Sequence, residues 1–207
     1  MKTKNIIACL TFLLATQVVS GQNNAETIIR LLVNQVKSHK NVEMQFSYQI
    51  SPDEKTVIEG QKGKAWLQDE AFKIELADQQ ILSDGKTIWT YFIDAEEVMV
   101  SNASEGTDNT PLKLLTSLDE SYVASISGID ANGIATIELA NPKGQYRRVT
   151  MKIDTKKTEL KSTDIYMEDG SKIVVNVEKM IFDQKLDDNC FTFDTKTHPD
   201  VEVIDMR

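Results

Sequence analysis

SDGKTIWTYFIDAEEVMV, residues Ser83–Val100, reads as a hairpin. Ser83-Asp84-Gly85-Lys86 is a turn, IWTYFI a strand, and a short acidic loop sends the chain back as EEVMVS. Ile88, Thr90 and Phe92 alternate with Trp89, Tyr91 and Ile93, so both faces of the strand are largely apolar. A strand with water on one side is polar on that side. Something must therefore cover the second face as well as the first.

Upstream, VEMQFSYQI alternates cleanly. Val42, Met44, Phe46, Tyr48 and Ile50 share one side, and Glu43, Gln45, Ser47 and Gln49 share the other. Further strands are expected around TVIEGQ, GKAWLQ and AFKIELA, the last with Phe72, Ile74 and Leu76 aligned. Before them lies an amphipathic helix. Asn23 is its expected cap with Glu26 three residues on, and Ile28, Leu32 and Val36 recur every four residues, flanked by Ile29 and Val33. His39-Lys40 suits its C-terminus.

Downstream, SNASEGTDNTP is an irregular polar loop, and Thr110-Pro111 opens a second helical piece with Leu112, Leu115 and Leu118 on one side. Strands resume as GIATIEL, YRRVTMKID, LKSTDIYMED and SKIVVNVEKMIF, separated by Gly- and Asp-containing turns, and a short FTFD strand precedes a Pro-containing tail. Roughly ten antiparallel strands with two helical segments predict a mainly β, α+β fold: a strongly curved sheet or unclosed barrel with helices packed into it. Those helices, or a ligand, would cover the aromatic hairpin from inside the curve.

The chain starts MKTKNIIACLTFLLATQVVSGQ. Two lysines, an apolar run from Ile6 to Leu14 and small residues at Ser20-Gly21 predict a secretory signal peptide over residues 1–21 and one domain over 22–207. The run is shorter than the ~20 apolar residues of a membrane span. Cys9 sits too early in that run for a lipidation box and reads as part of the signal. Removing residues 1–21 takes two lysines and no acids, changing the net charge from -9 to -11. Such a surface repels nucleic acid phosphates and anionic headgroups. Cys190 alone would remain, so no internal disulfide is expected.

Catalytic chemistry is not legible. Gly85-Lys86-Thr87 imitates the end of a phosphate loop, but Gln80 stands where that loop needs glycine, and a strand follows instead of a helix. His39 and His198 have no carboxylate or cysteine set at ligand spacing. Asp69-Glu70, Glu96-Glu97, Asp119-Glu120 and Asp187-Asp188 fall in turns or helix ends, as solvated acids do. No enzyme, metal or cofactor is expected. Periodicity alone leaves two readings of the apolar strands: a closed core, or a cavity for an acyl chain.

Four stretches in order carry a resemblance. SDGKTIWTY (Ser83–Tyr91), EGQKGKAW (Glu59–Trp66), DNTPLKLL (Asp108–Leu115) and the ending FTFDTKTHPDVEVID (Phe191–Asp205) resemble the LolA-type outer-membrane lipoprotein carriers. The resemblance implies an unclosed antiparallel barrel whose helices form a lid over an apolar cavity. It also implies a monomeric periplasmic shuttle that takes acylated lipoproteins from an inner-membrane releasing transporter to an outer-membrane acceptor. Alternation then assigns the lipid-facing lining to Phe46, Tyr48, Phe72, Ile74, Leu76, Trp89, Tyr91, Val98 and Val100, and the lid to Ile28, Leu32, Val36, Leu112, Leu115 and Leu118. One feature departs from the family: the arginine that commonly follows the GxxW strand and latches the lid is replaced by Leu67-Gln68-Asp69-Glu70-Ala71-Phe72. The alternative function is a periplasmic binder of lipid or another hydrophobic ligand, or an envelope-stress protein-interaction module of the same fold.

Overall fold

The computed structural model describes residues 18–53, 55–56, 59–106, 123–140 and 146–207, with the side chains of these except at 18–23 and 105–106. Leu112, Leu115 and Leu118, the second helical piece they belong to, and most of the expected signal peptide lie outside the described residues.

One long helix, α1 (Val18–Lys37), precedes strands β1 (Val42–Ser51), β2 (Gln61–Gln68), β3 (Ala71–Glu75), β4 (Gln79–Ser83), β5 (Thr87–Phe92) and β6 (Glu97–Asn102). A single helical turn, α2 (Ala103–Gly106), follows. Then come β7 (Val123–Ile129), β8 (Ile134–Ala140), β9 (Tyr146–Asp154), β10 (Glu159–Met167) and β11 (Lys172–Phe182), with β12 (Glu202–Asp205) near the end. The twelve described strands form one sheet in the order β12-β6-β5-β4-β3-β2-β1-β11-β10-β9-β8-β7. Among the described residues its ends, β12 and β7, do not pair, so the sheet is not closed into a barrel. Every pairing is antiparallel except β12 with β6, which is parallel.

Local chemistry explains much of this meander. Asp84, Asp130, Asp154 and Asp169 each accept backbone N–H groups within their own turns, the Asx geometry that folds a strand back on itself. Gly85 has φ of 87°, a conformation that costs glycine little. Irregular pairing at Gln45/Phe46, Leu160/Ser162, Tyr166/Met167 and Ile126/Gly128 adds unpaired residues that bend the strands.

Several boundaries differ from expectation. Helix α1 already runs from Val18, so Asn23 lies within it and does not cap it in the unprocessed chain. FTFD is not a strand: residues 191–194 are irregular, because they lie across the face of the sheet with no strand beside them. Gln79–Ser83, Val123–Ile129 and Glu202–Asp205 are strands that the pattern did not disclose. Each is short or carries Ser and Gly; β4 and β7 pair with strands next to them in the chain, whereas β12 pairs with the distant β6.

Two buried clusters lie on the helix side of the sheet. Ala25, Ile29 and Leu32 of α1 pack with Ala135, Ile137, Leu139, Val149, Met151, Ile153, Leu160 and Ile165 of β8–β10. Val36 packs against Val42, Met44, Phe46, Ala65, Leu67, Phe72 and Ile74 of β1–β3. One apolar helix stripe thus closes over both halves of the sheet, and Leu32, at 1 % exposure, is its most deeply buried large residue. Leu31, on the opposite side of the helix, is 54 % exposed.

Candidate functional site

Cross-strand partners face the same side of a sheet, so the register sorts every residue. On one face run Met44, Ala65, Ile74, Ile81, Thr90 and Met99, each paired with the next. On the other run Glu43, Trp66, Lys73, Leu82, Trp89 and Val100. The first face carries the cluster under α1. Glu43, Trp66 and Lys73 hold the outer face together at β1–β3: Trp66 Nε1 donates to Glu43 Oε2 at 3.2 Å, and Lys73 Nζ stands 5.6 Å from the Trp66 ring centroid.

This divides the expected lining. Phe46, Phe72 and Ile74 are buried in the helix-side cluster, with Tyr48 and Leu76 partly buried against it. Trp89, Tyr91, Val98 and Val100 are on the outer face and are not brought together with them. The correct inward set on the hairpin is Ile88, Thr90, Phe92 and Met99. The reason is the feature that made the hairpin conspicuous: with both faces apolar, alternation cannot say which one looks inward, and a one-residue choice reverses the strand.

The second face is covered by the chain's own C-terminal segment. After Phe182 the chain crosses the outer face of β3–β5. Tyr91 meets the Phe193 ring at 5.1 Å and the His198 ring at 5.2 Å, and Phe193 stacks on His198 at 4.7 Å. Burial pushes the Cys190 thiol up from its ordinary value; Lys73 of β3 opposes this, and Asp187 and Glu75 add to it. Strand β12 then docks beside β6, with Glu202 N donating to Glu96 O at 2.9 Å. This strap explains why Val98, with 0 % exposure, and Val100, with 4 %, are buried although they face away from α1.

On the helix side, α1 leaves a small apolar crevice of about 20 Å³, room for about one water molecule. Leu32, Val33, Val36 and Lys37 of α1 form one wall, and Val42, Met44, Leu67, Leu160 and Met180 form the other. Of the expected lid residues, Leu32 is buried here, while Ile28 and Val36 are partly buried at the two clusters. Helix α1 covers this face at β8–β10 and, through Val36, at β1–β3.

The C-terminal end of α1 is held by hydrogen bonds. Asp183, in the left-handed region at φ 55°, receives the Lys40 backbone N–H at 2.8 Å and meets His39 Nδ1 at 2.8 Å. The hydrogen bond with His39, and then that from Lys40, holds its carboxyl below the ordinary 3.8. Asn41 and Gln184 exchange a side chain–backbone pair, each at 2.9 Å. His39 also stacks on Phe182 at 4.2 Å. Sequence reasoning placed His39 only at a helix end. Its partner follows a long strand and could not be guessed from spacing.

Among the described residues, no group of three or more His, Cys, Asp or Glu side chains is placed to hold a metal ion. Asp69 and Glu96 occupy turns at positive φ, and Asp187-Asp188 lies in the strap. Among the described residues no helix is long and apolar enough to cross a membrane. The residues in place of the family's latch arginine are a buried Leu67 and the β2–β3 turn.

Residues 37–194 match the family model described as outer membrane lipoprotein carrier protein LolA. The chain is 30% identical over 125 residues to an outer-membrane lipoprotein carrier protein of Psychromonas ingrahamii, covering 58% of this chain and 60% of that one. It is 28% identical over 130 residues to a protein of the same description from Pasteurella multocida, covering 63% and 62%. The match thus spans about three fifths of the length of these curated relatives. The crystal structure of an uncharacterized conserved protein from Thermus thermophilus superposes with a TM-score of 0.60, covering 88% of this chain and 99% of that one at 9% identity, which speaks for the fold alone. With a family model matched across most of its length and an open β-sheet closed by a helix, the chain belongs to the LolA family of outer-membrane lipoprotein carriers.

Proposed function

We propose that this protein is a periplasmic carrier that shields the acyl chains of lipoproteins in the hollow of its sheet and moves them from the inner to the outer membrane. The observation that supports the reading is the apolar helix-side face, two buried clusters that a single helix, α1, covers among the described residues. Its chemistry is binding and release, with no covalent step.

The energetics suit a shuttle. Each acyl methylene withdrawn from water gains ~0.8 kcal/mol, so two dozen would gain roughly 20 kcal/mol before ordering costs. A cargo held that tightly would never be released. Burying a side chain such as Ile29 or Leu32 is worth about 1.5–3 kcal/mol, and α1 buries several in the same space. Helix and cargo compete, and the difference between them sets a reversible affinity.

The residues proposed to contact cargo are Phe46, Tyr48, Phe72, Ile74 and Leu76, joined by the inward hairpin residues Ile88 and Phe92. The helix residues Ile28, Leu32 and Val36 are the proposed competing filler. Export rests on the expected signal peptide over residues 1–21. Its removal leaves α1 from residue 22 onward, with Ala25, Ile29 and Leu32 retained. The proposed partners are acylated lipoproteins, an inner-membrane releasing transporter and an outer-membrane acceptor. The acidic chain favours a basic acceptor surface, approached at a salt-dependent rate.

A second reading draws on the smallness of the crevice: a closed core whose outside binds protein. Mass spectrometry of the protein purified natively from periplasm separates the two. Retained acylated lipoproteins or acyl lipids are expected. A lipid-free protein that instead retains a soluble partner lacking acyl chains would overturn the carrier reading.

A further inference from the structure

Gly63 of β2 lies directly opposite Phe46 of β1 on the helix side of the sheet. A Cβ at residue 63 would stand 2.6 Å from Cζ and 2.7 Å from Cε2 of Phe46. The far edge of the ring therefore occupies the space that any side chain at residue 63 would need. The ring leans across β2 instead of standing up from β1. Its neighbour on the same face behaves alike: Tyr48 donates its hydroxyl to Gln61 Oε1 on β2 at 2.7 Å, with its ring 6.2 Å from that of Phe46. Gly63 is not at a tight turn or a positive φ, so its lack of a side chain serves the ring and the approach of the Glu75 carbonyl, 3.0 Å from the same point.

Resting on the carrier reading, we propose that Gly63 is a positioning residue that sets the depth of the acyl site by letting Phe46 fold down onto β2. With Gly63 in place, the ring forms part of the floor of the hollow, and an acyl chain lies over it. A side chain at residue 63 forces the ring to rotate about its own Cα–Cβ bond. It then stands above β1 or swings over Val177, the residue opposite Phe46 on β11. Either position puts ring carbons into the space that cargo needs.

The test is titration of the purified protein with cis-parinaric acid, a fluorescent fatty acid, normalised to the folded fraction. Gly63→Ala is expected to weaken binding by about tenfold, the scale of overpacking an apolar site. Leucine lacks the atoms corresponding to Phe46 Cζ and Cε2, so Gly63→Ala combined with Phe46→Leu is expected to bind about threefold or more tighter than Gly63→Ala alone. The contact with the Glu75 carbonyl persists in the double variant, so both variants should melt below the parent while the double variant binds the better of the two. Equal affinities for Gly63→Ala and the parent, or a double variant as weak as the single, would show that the glycine serves only strand packing and would overturn the proposal. If Gly63→Ala fails to fold, Phe46→Trp enlarges the ring on an intact Gly63 and must weaken binding; unchanged affinity there overturns the proposal too. A parent that binds no fatty acid, tested with α1 loosened by Leu32→Ala, would remove the carrier reading and this proposal together.

Discussion

His39 and Asp183 meet at 2.8 Å where the end of α1 faces the end of β11. Together with the Lys40 backbone bond, this contact ties the C-terminal end of the helix to the sheet. If α1 leaves the hollow, it pivots about residues 38–41, and the rest of the helix swings. Asp183→Ala removes the acceptor of both bonds. The carboxyl is held below its ordinary 3.8, so its stabilisation is present above that pH and is lost as pH falls through the depressed value. The variant is expected to melt below the parent at neutral pH, with the gap closing well below pH 3.8. Thermal melts across pH check this, and a gap independent of pH would deny the carboxylate its role.

Leu32→Ala separates a filler from an ordinary core residue. Losing a buried leucine costs about 2–5 kcal/mol. In a closed core that is the whole effect. In a carrier the same change weakens the helix's hold on the hollow, so affinity for a fatty acid probe rises while the denaturation midpoint falls. Chemical denaturation beside fluorescence titration reads both.

Face assignment is tested by a pair of charges. Ile81 is half-buried on the helix side, and Trp89 is half-buried on the outer face. Ile81→Glu is expected to weaken acyl binding by about tenfold, because the cargo would meet an unpaired carboxylate. Trp89→Glu is expected to leave the affinity of the folded protein unchanged. The reverse outcome would place the hollow on the strap side.

The strap has its own signature. Phe193→Ala removes the ring between Tyr91 and His198 and is expected to cost about 1–3 kcal/mol, from lost burial and ring contacts. Limited proteolysis should then cut within residues 184–200 sooner than in the parent, while cleavage within α1 is unchanged. Equal protection of the strap would mean that β12 alone anchors it.

Much of this protein is written locally. The alternation of VEMQFSYQI, with Glu43 and Gln45 between Val42, Met44 and Phe46, identified both a strand and its inward face, because the polar residues marked the outside. The spacing of Ile28, Ile29, Leu32, Val33 and Val36 likewise identified a helix with one broad buried stripe. Aspartate and glycine turns set the meander, since those side chains fold the backbone within a few residues.

The hairpin at Trp89–Val100 is the contrary case. Its residues announced that both faces are covered, yet nothing in them says by what. Only the tertiary structure supplies the answer for the face that carries Tyr91: the C-terminal strap, with Phe193 and His198, lies over it. The same holds for β12, which finds β6 in parallel, and for Asp183, which finds His39. Alternation and turn chemistry act between residues a few positions apart and can be read from the sequence. Which of two apolar faces turns inward depends on contacts between segments far apart in the chain, and those exist only once the chain has folded.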